Sequence, residues 1–486
     1  MKIRWLLLIF ILGLFWRFIN YQNRLVLNQD QARDAIIGLQ SISLRQLPPI
    51  GPPSSAGPFN FGPYYYWLIT FFTLLIPVTG GPWIGFSLLS AISIFFYYRI
   101  GRKMINSRFG LLLAVMSAVN PALVAISPDM LNTTALAFLS PLVFLLLINY
   151  VHRPKIITGL LFGFFLGVTA NFHFQAFGLF ALLPLIFLIN RYSIVKRLSL
   201  ILPPIAGLLI SFLPLIVFDF QHHHRWLLSV INYYTTGVTK FYTPIRWLTD
   251  IRDFWPQHLG QTITGIPLLG YILIILFLAA LYFKQKKGLQ FSPTWGVLVF
   301  SFIIQILLLR YYRGTRSSEY LIYLYPYSII FTGWALHSLY SLSPKLSLLA
   351  GLLLFATSTY TNFSQTFNHP SQAQVIYSLK SQIDQKLNPE SISLYSLNNP
   401  DDQLNSPIFY LYYRQNKINT TGSRIATCNP LVVSNPCPSA HKILAQSGNY
   451  YLYDVTNIPH SQLLKQGFVN YTPDLYRQRL MVNYPE

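Results

Sequence analysis

Residues 64–78 read Tyr-Tyr-Tyr-Trp-Leu-Ile-Thr-Phe-Phe-Thr-Leu-Leu-Ile-Pro-Val, apolar enough to be counted as a membrane crossing. Counted so, they put Arg99, Arg102, Lys103 and Arg108 on the outer face and invert the charge bias of the later loops. Read instead as an interfacial or re-entrant helix on the outer face, they leave one side of the chain purely basic. That side carries Lys2, Arg4, Arg99, Arg102, Lys103, Arg108, Arg153, Lys155, Arg191, Lys196, Arg197, Lys284, Lys286, Lys287 and Lys345, and no Asp or Glu. Asp30, Asp34, Asp129, Asp219, Asp250, Asp253 and Glu319 fall on the opposite side. Cytoplasmic loops collect Lys and Arg, so chemistry run by carboxylates faces away from the cytoplasm. The aromatic start of the stretch suits the headgroup zone. The Pro- and Gly-rich runs before it, 48–53 and 57–63, cannot be helical, because proline lacks an N–H and fixes φ.

The rest of the chain agrees with a membrane protein. Of 486 residues, 53% are apolar, 16% aromatic and 10% charged, more greasy sequence than one soluble core can hide. The net charge of +21 sits in short clusters at the ends of apolar runs, as in loops beside a bilayer, so nucleic acid is not an expected partner. Runs long enough to cross roughly 30 Å of hydrocarbon fall near residues 5–22, 82–98, 109–126, 133–150, 156–171, 174–190, 198–218, 264–283, 293–309, 319–338 and 346–359. The expected fold is mainly α, a polytopic helical bundle of about eleven spans plus the re-entrant helix. Residues 1–359 form the membrane domain and 360–486 a small extracytoplasmic α/β domain, with strand-like patches at 391–396 and 450–455 and helical patterns at 372–387 and 406–414. Cys428 and Cys437 are the two cysteines, close enough for a loop-closing disulfide or left as free thiols.

Three polar elements stand at the outer membrane surface. Asn28-Gln29-Asp30-Gln31-Ala32-Arg33-Asp34 follows the first span, and on a helix Asp30 and Asp34 share a face with Arg33 within reach of both. Asp129 follows Ser127-Pro128 in the second outer loop, where a helix cap is the plainer role. Arg310, Arg313 and Arg316 break the positive-inside trend and call for an anion such as a lipid phosphate, which guanidinium grips bidentately. The run His222-His223-His224 is a poor metal site, because consecutive side chains diverge. His173, between two spans, is expected to be structural.

The order of these elements resembles the polytopic class C glycosyltransferases, in particular the bacterial relatives of protein O-mannosyltransferases and the lipid A aminoarabinose transferase. An acid follows span 1, a Pro/Gly loop enters Gly62-Pro63-Tyr64-Tyr65-Tyr66-Trp67, a second acid follows span 3, and Arg316 precedes Glu319-Tyr320-Leu321 and Pro326. The likeness covers most of residues 1 to 340. It implies Asp30 as base and Asp129 as a second, acceptor-orienting carboxylate. It also implies Arg33, Asp34, Tyr64, Tyr65, Arg310, Arg313, Arg316 and Tyr320 as substrate-binding residues. Gln31 stands where the family has a second acid, which leaves Asp34 or Asp129 to supply the lost charge, and the aromatic segment lacks the family's lysine.

The resemblance implies transfer of a sugar from a polyprenyl-phosphate donor to an extracytoplasmic lipid, glycan or protein acceptor, with inversion at C1. The setting is a multi-pass protein of the cell (inner) membrane. Phosphate is a good leaving group, so arginines can replace a general acid. No metal ligand is assigned, and a divalent ion bridging carboxylates and phosphate is compatible with the Asp count. Two other readings stand beside it: a lipid-sugar flippase or secondary transporter, which shares the span number but usually buries charge in mid-span, and an O-antigen-type polymerase or ligase, which also uses outward arginines and lipid-linked sugars.

Overall fold

The stretch at 64–78 forms a helix of 12 residues, Tyr64–Leu75, about 18 Å long and short of the roughly 30 Å a crossing needs. Pro63 sits at its N-cap. It packs against the helix Gln29–Ser43, where a Cβ on Gly38 would come within 2.7 Å of Ile69. These contacts belong to a computed structural model that describes residues 2–54, 57–189, 193–236, 246–286, 292–311, 316–368, 372–397, 404–428, 437, 441–447 and 450–481.

The chain is mostly helical. Among the described residues, five helices are individually long and apolar enough to cross a membrane, including Gly81–Met104, Leu269–Lys286 and Pro293–Tyr311. Other expected crossings are segmented, each for a local reason. The run 109–126 splits into Ser107–Ala118 and Pro121–Ala125, because Pro121 cannot donate and disfavours helical backbone at Asn120. The Asn120 side chain caps the new start by accepting from the Leu123 N–H at 2.9 Å, and its amide donates to the Thr262 carbonyl. The runs 174–190 and 319–338 begin as tight 3₁₀ turns, Phe174–Ala181 and Ser318–Leu324. They continue as Leu182–Ile189 and Tyr325–Tyr340, the second with proline in its first turn.

The C-terminal part carries a five-stranded sheet of β1 (Ile392–Leu397), β2 (Ser423–Cys428), β3 (Ile443–Ser447), β4 (Tyr450–Asp454) and β5 (Phe468–Tyr471), in the order β3-β4-β2-β1-β5. β1 and β2 are parallel and the other pairs antiparallel. The helices Gln372–Leu387 and Asn405–Arg414 flank it. Cys428 and Cys437 are joined in a disulfide, with Cα atoms 5.8 Å apart.

This part rests on the end of the bundle that holds the helix Gln29–Ser43. The helix Asn405–Arg414 lies on Gln29–Ser43, Tyr410 donates to the Thr79 carbonyl and packs its ring on Trp83, and the Gln40 amide donates to the Pro473 carbonyl. The helix Pro344–Phe367 runs unbroken through position 359.

Candidate active site

The helix Gln29–Ser43 starts because Asn28 caps it, its side-chain oxygen accepting from the N–H groups of Asp30 at 2.9 Å and Gln31 at 3.4 Å. That start places Asp30 and Asp34 one turn apart with Arg33 between them. Arg33 Nη1 donates to Asp30 Oδ1 and its Nε to Asp34 Oδ1, both at 2.8 Å. The two acids are not equivalent. The Asp34 side chain is 2% exposed and also accepts from the Tyr66 hydroxyl at 3.0 Å, whereas the Asp30 side chain is 45% exposed. Burial pushes the Asp34 carboxyl up, and Arg33 opposes the shift.

These residues form one wall of a cavity of about 600 Å³. Asp30, Arg33 and Asp34 line it together with Phe59 and Phe61 of the Gly/Pro loop, residues 131–133, His173 and Phe174, and Glu319, Tyr320 and Tyr323. Gly62 lets that loop close on its neighbour: a Cβ there would meet Asn171 Oδ1 at 1.9 Å. His173 is sandwiched between Phe61, at 5.3 Å, and Tyr320, at 4.7 Å between ring centroids. Its Nδ1 accepts from the Gln175 N–H, so the ring proton is on Nε2. Burial lowers the His173 pKa to about 3, which keeps the ring neutral.

Asp129 stands beside this wall and is not one of the lining residues, although 131–133 are. Its Oδ1 accepts from Gln31 Nε2 at 2.5 Å. Burial pushes its pKa up to about 7, the Gln31 hydrogen bond acts downward, and the charges of Glu319 and Asp30 act upward. Asp30 and Glu319 therefore both sit close enough to act on Asp129, each from a separate segment of the chain.

The remaining expected residues scatter. The Tyr64 hydroxyl donates to the Ser211 carbonyl and the Tyr65 hydroxyl to the Met130 carbonyl, and neither lines the cavity. On a helix three successive side chains point in different directions; the Tyr66 hydroxyl donates to Asp34, and Tyr65 lies near enough for that carboxylate to act on it as well. Tyr320 lines the cavity; Arg310 and Arg316 do not. The Arg310 guanidinium lies 4.9 Å from the Trp247 ring. Arg316 forms a bidentate pair with Asp250, at 2.8 and 3.0 Å, and stacks on Phe254 at 3.9 Å. Arg313 lies outside the described residues.

Four site residues had no distinct signal in the sequence. Glu319 looked like one acid among several, Tyr66 was one of three tyrosines, and Gln31 was a departure from a motif. Asp250 pairs with an arginine 66 positions away. Among the described residues, no three His, Cys, Asp or Glu side chains form a group that could hold a metal ion.

Residues 58–218 match the sequence model of the dolichyl-phosphate-mannose-protein mannosyltransferases. No curated protein matches the chain. Among solved structures the chain is similar to ArnT from Cupriavidus metallidurans bound to undecaprenyl phosphate, with a TM-score of 0.63 and 12% identity over 94% of this chain and 98% of that one. The apo state of the same protein gives a TM-score of 0.61 over 92% and 97%. The archaeal oligosaccharyltransferase AglB from Archaeoglobus fulgidus, in complex with an inhibitory peptide and a dolichol-phosphate, gives 0.53 at 14% identity, over 85% of this chain and 59% of that one.

Proposed function

We propose that the chain, which matches the mannosyltransferase model over residues 58–218 and shares its fold with ArnT, is a class C glycosyltransferase that moves a sugar from a polyprenyl-phosphate donor to an acceptor on the outer face of the cell membrane. The observation that carries this reading is the half-exposed Asp30 opening into a 600 Å³ cavity, braced by Arg33 and buried Asp34, with Asp129 one hydrogen bond away through Gln31. A solved relative holding undecaprenyl phosphate supports a lipid-phosphate donor.

In the proposed reaction Asp30 accepts the proton of the acceptor hydroxyl or amine. The acceptor atom bonds to C1 of the sugar as the C1–oxygen bond to phosphate breaks, and the lipid phosphate leaves with the electron pair, inverting C1. Asp129 orients the acceptor from beside the cavity. Arg316, held by Asp250, supplies charge to the departing phosphate. The guanidinium has five N–H donors and the Asp250 pair uses two of them, which leaves its other edge to face a phosphate.

In this reading Asp129 acts as the anion. With its pKa near 7, the rate rises as the pH is raised through 7 and levels off above.

The test is purified protein in liposomes with a synthetic polyprenyl-phosphate sugar and a panel of lipid and glycan acceptors. A product anomer opposite to the donor, read by NMR, is expected; a retained anomer or no transfer with any acceptor sinks the reading.

The proposal includes about eleven crossings, a membrane domain over 1–359 and an extracytoplasmic domain over 360–486. Single cysteines placed near Arg102 and Asp129 are expected to differ at least tenfold in labelling of intact cells by an impermeant thiol reagent, with the Asp129 position reacting. Equal labelling at both positions would overturn the sidedness.

A further inference from the structure

Gln31 follows Asp30 directly and is fully buried. Its side-chain oxygen accepts from the Asn28 backbone N–H at 3.2 Å, and its Nε2 donates to Asp129 Oδ1 at 2.5 Å. The first bond settles the orientation of the amide. A backbone N–H can only donate, so the oxygen must face Asn28 and the NH₂ must face Asp129. Asn28 in turn accepts from the N–H groups of Asp30 and Gln31. One capping cluster thereby joins the start of the Asp30 helix to a carboxylate 98 positions away, and a backbone bond from Val26 N–H to the Pro128 carbonyl runs alongside it.

A hydrogen bond this specific has consequences for a carboxylate in that place. The charged groups that Asp129 senses are Asp30, from the same helix as Gln31, and Glu319, from the turn Ser318–Leu324, and both are acidic. The Gln31 amide and the Met130 backbone N–H are the groups that favour its anion. Gln31 is also neutral where the resembling family carries an acid, so it adds a donor to the site without adding a third negative charge beside Asp129.

We propose that Gln31 is a positioning residue of the transfer reaction: it ties Asp129 to the cap of the helix that carries Asp30, so that the two carboxylates hold a fixed relation and Asp129 stays available as an anion. This rests on the reading in which Asp129 acts on the acceptor.

Gln31→Glu replaces the donor with a carboxyl that must share a proton with Asp129, as paired carboxylates do. Gln31→Met keeps the approximate volume and removes the donor. In proteoliposomes, the pH at which the rate reaches half its maximum is expected to move alkaline by at least one unit in Gln31→Glu and by less in Gln31→Met, with the donor KM within twofold of wild type. An unmoved limb in both variants, with kcat lowered or not, overturns the proposal, since loss of packing alone leaves the pH dependence in place.

A second readout needs no turnover. The carboxyl stretch of Asp129, identified in infrared difference spectra against Asp129→Asn, is expected to titrate at higher pH in Gln31→Glu than in wild type, and an unchanged titration overturns the proposal. If Asp129→Asn transfers sugar at the wild-type rate, the assigned role of Asp129 fails, and the infrared titration still decides whether Gln31 governs its proton.

Discussion

Membranes carrying Asp30→Asn are expected to contain the protein at its normal level and to transfer sugar about 10³-fold more slowly, within the range a positioned general base supplies. The substitution preserves shape, and the amide oxygen can still accept from Arg33 Nη1, which lies 2.8 Å from Asp30 Oδ1. With nearly half of the Asp30 side chain exposed, the ion pair it gives up is worth little to the fold. Activity and accumulation should therefore separate cleanly. Asp34→Asn should behave in the opposite way. That carboxylate is buried under Arg33 and Tyr66, so removing its charge leaves Arg33 poorly compensated and lowers the melting temperature along with the rate. An immunoblot beside a rate measurement distinguishes the two cases. Undiminished transfer by Asp30→Asn removes this residue from the mechanism.

The contrast between Asp30 and Asp34 was only half legible in the sequence. Their spacing of four predicts a shared helical face with Arg33 between them, and the capped helix Gln29–Ser43 provides it. Which acid is buried depends on Tyr66 arriving from another helix, and spacing within one helix carries no such information. The same limit explains the arginines. Charge bias placed Arg310 and Arg316 on the same side as the acids, and it named no partner for either; the partner of Arg316 is Asp250, and no local pattern links positions so far apart. In the C-terminal part, the helix over 372–387 and the patches near 391–396 and 450–455 were visible because their apolar spacing is regular. β2, β3 and β5 were missed. Of these, β2 reads Ser-Arg-Ile-Ala-Thr-Cys and β5 is four residues long, too short or too mixed for alternation to register. The broken run at 109–126 had a signal, Asn120-Pro121, that apolar length concealed.

The pairing of Arg316 with Asp250 leads to the second large expected effect, because it separates a structural arginine from a phosphate ligand. Both side chains are mostly buried, 14% and 4% exposed, and joined bidentately, so removing one partner leaves a charge without compensation. Asp250→Asn is expected to cost about 3–5 kcal/mol of stability at most, less to the extent that water reaches Arg316. Arg316→Lys keeps the charge but replaces a planar fork with a point donor. If Arg316 serves only the fold, this variant recovers wild-type donor KM once enough folded protein is assayed. In the proposed mechanism the free edge of the guanidinium meets the donor phosphate, so Arg316→Lys should raise the donor KM or lower kcat by about 10²-fold, the scale of losing one preorganised donor to developing charge. Exchanging the pair, Asp250→Arg with Arg316→Asp, sharpens the comparison. It can restore the melting temperature while leaving transfer impaired, because the cation then projects from position 250 rather than from position 316, where it covers the Phe254 ring at 3.9 Å. Recovery of both stability and transfer in the exchanged protein would confine Arg316 to a structural role and move the search for the phosphate ligand to Arg33, which lines the cavity itself.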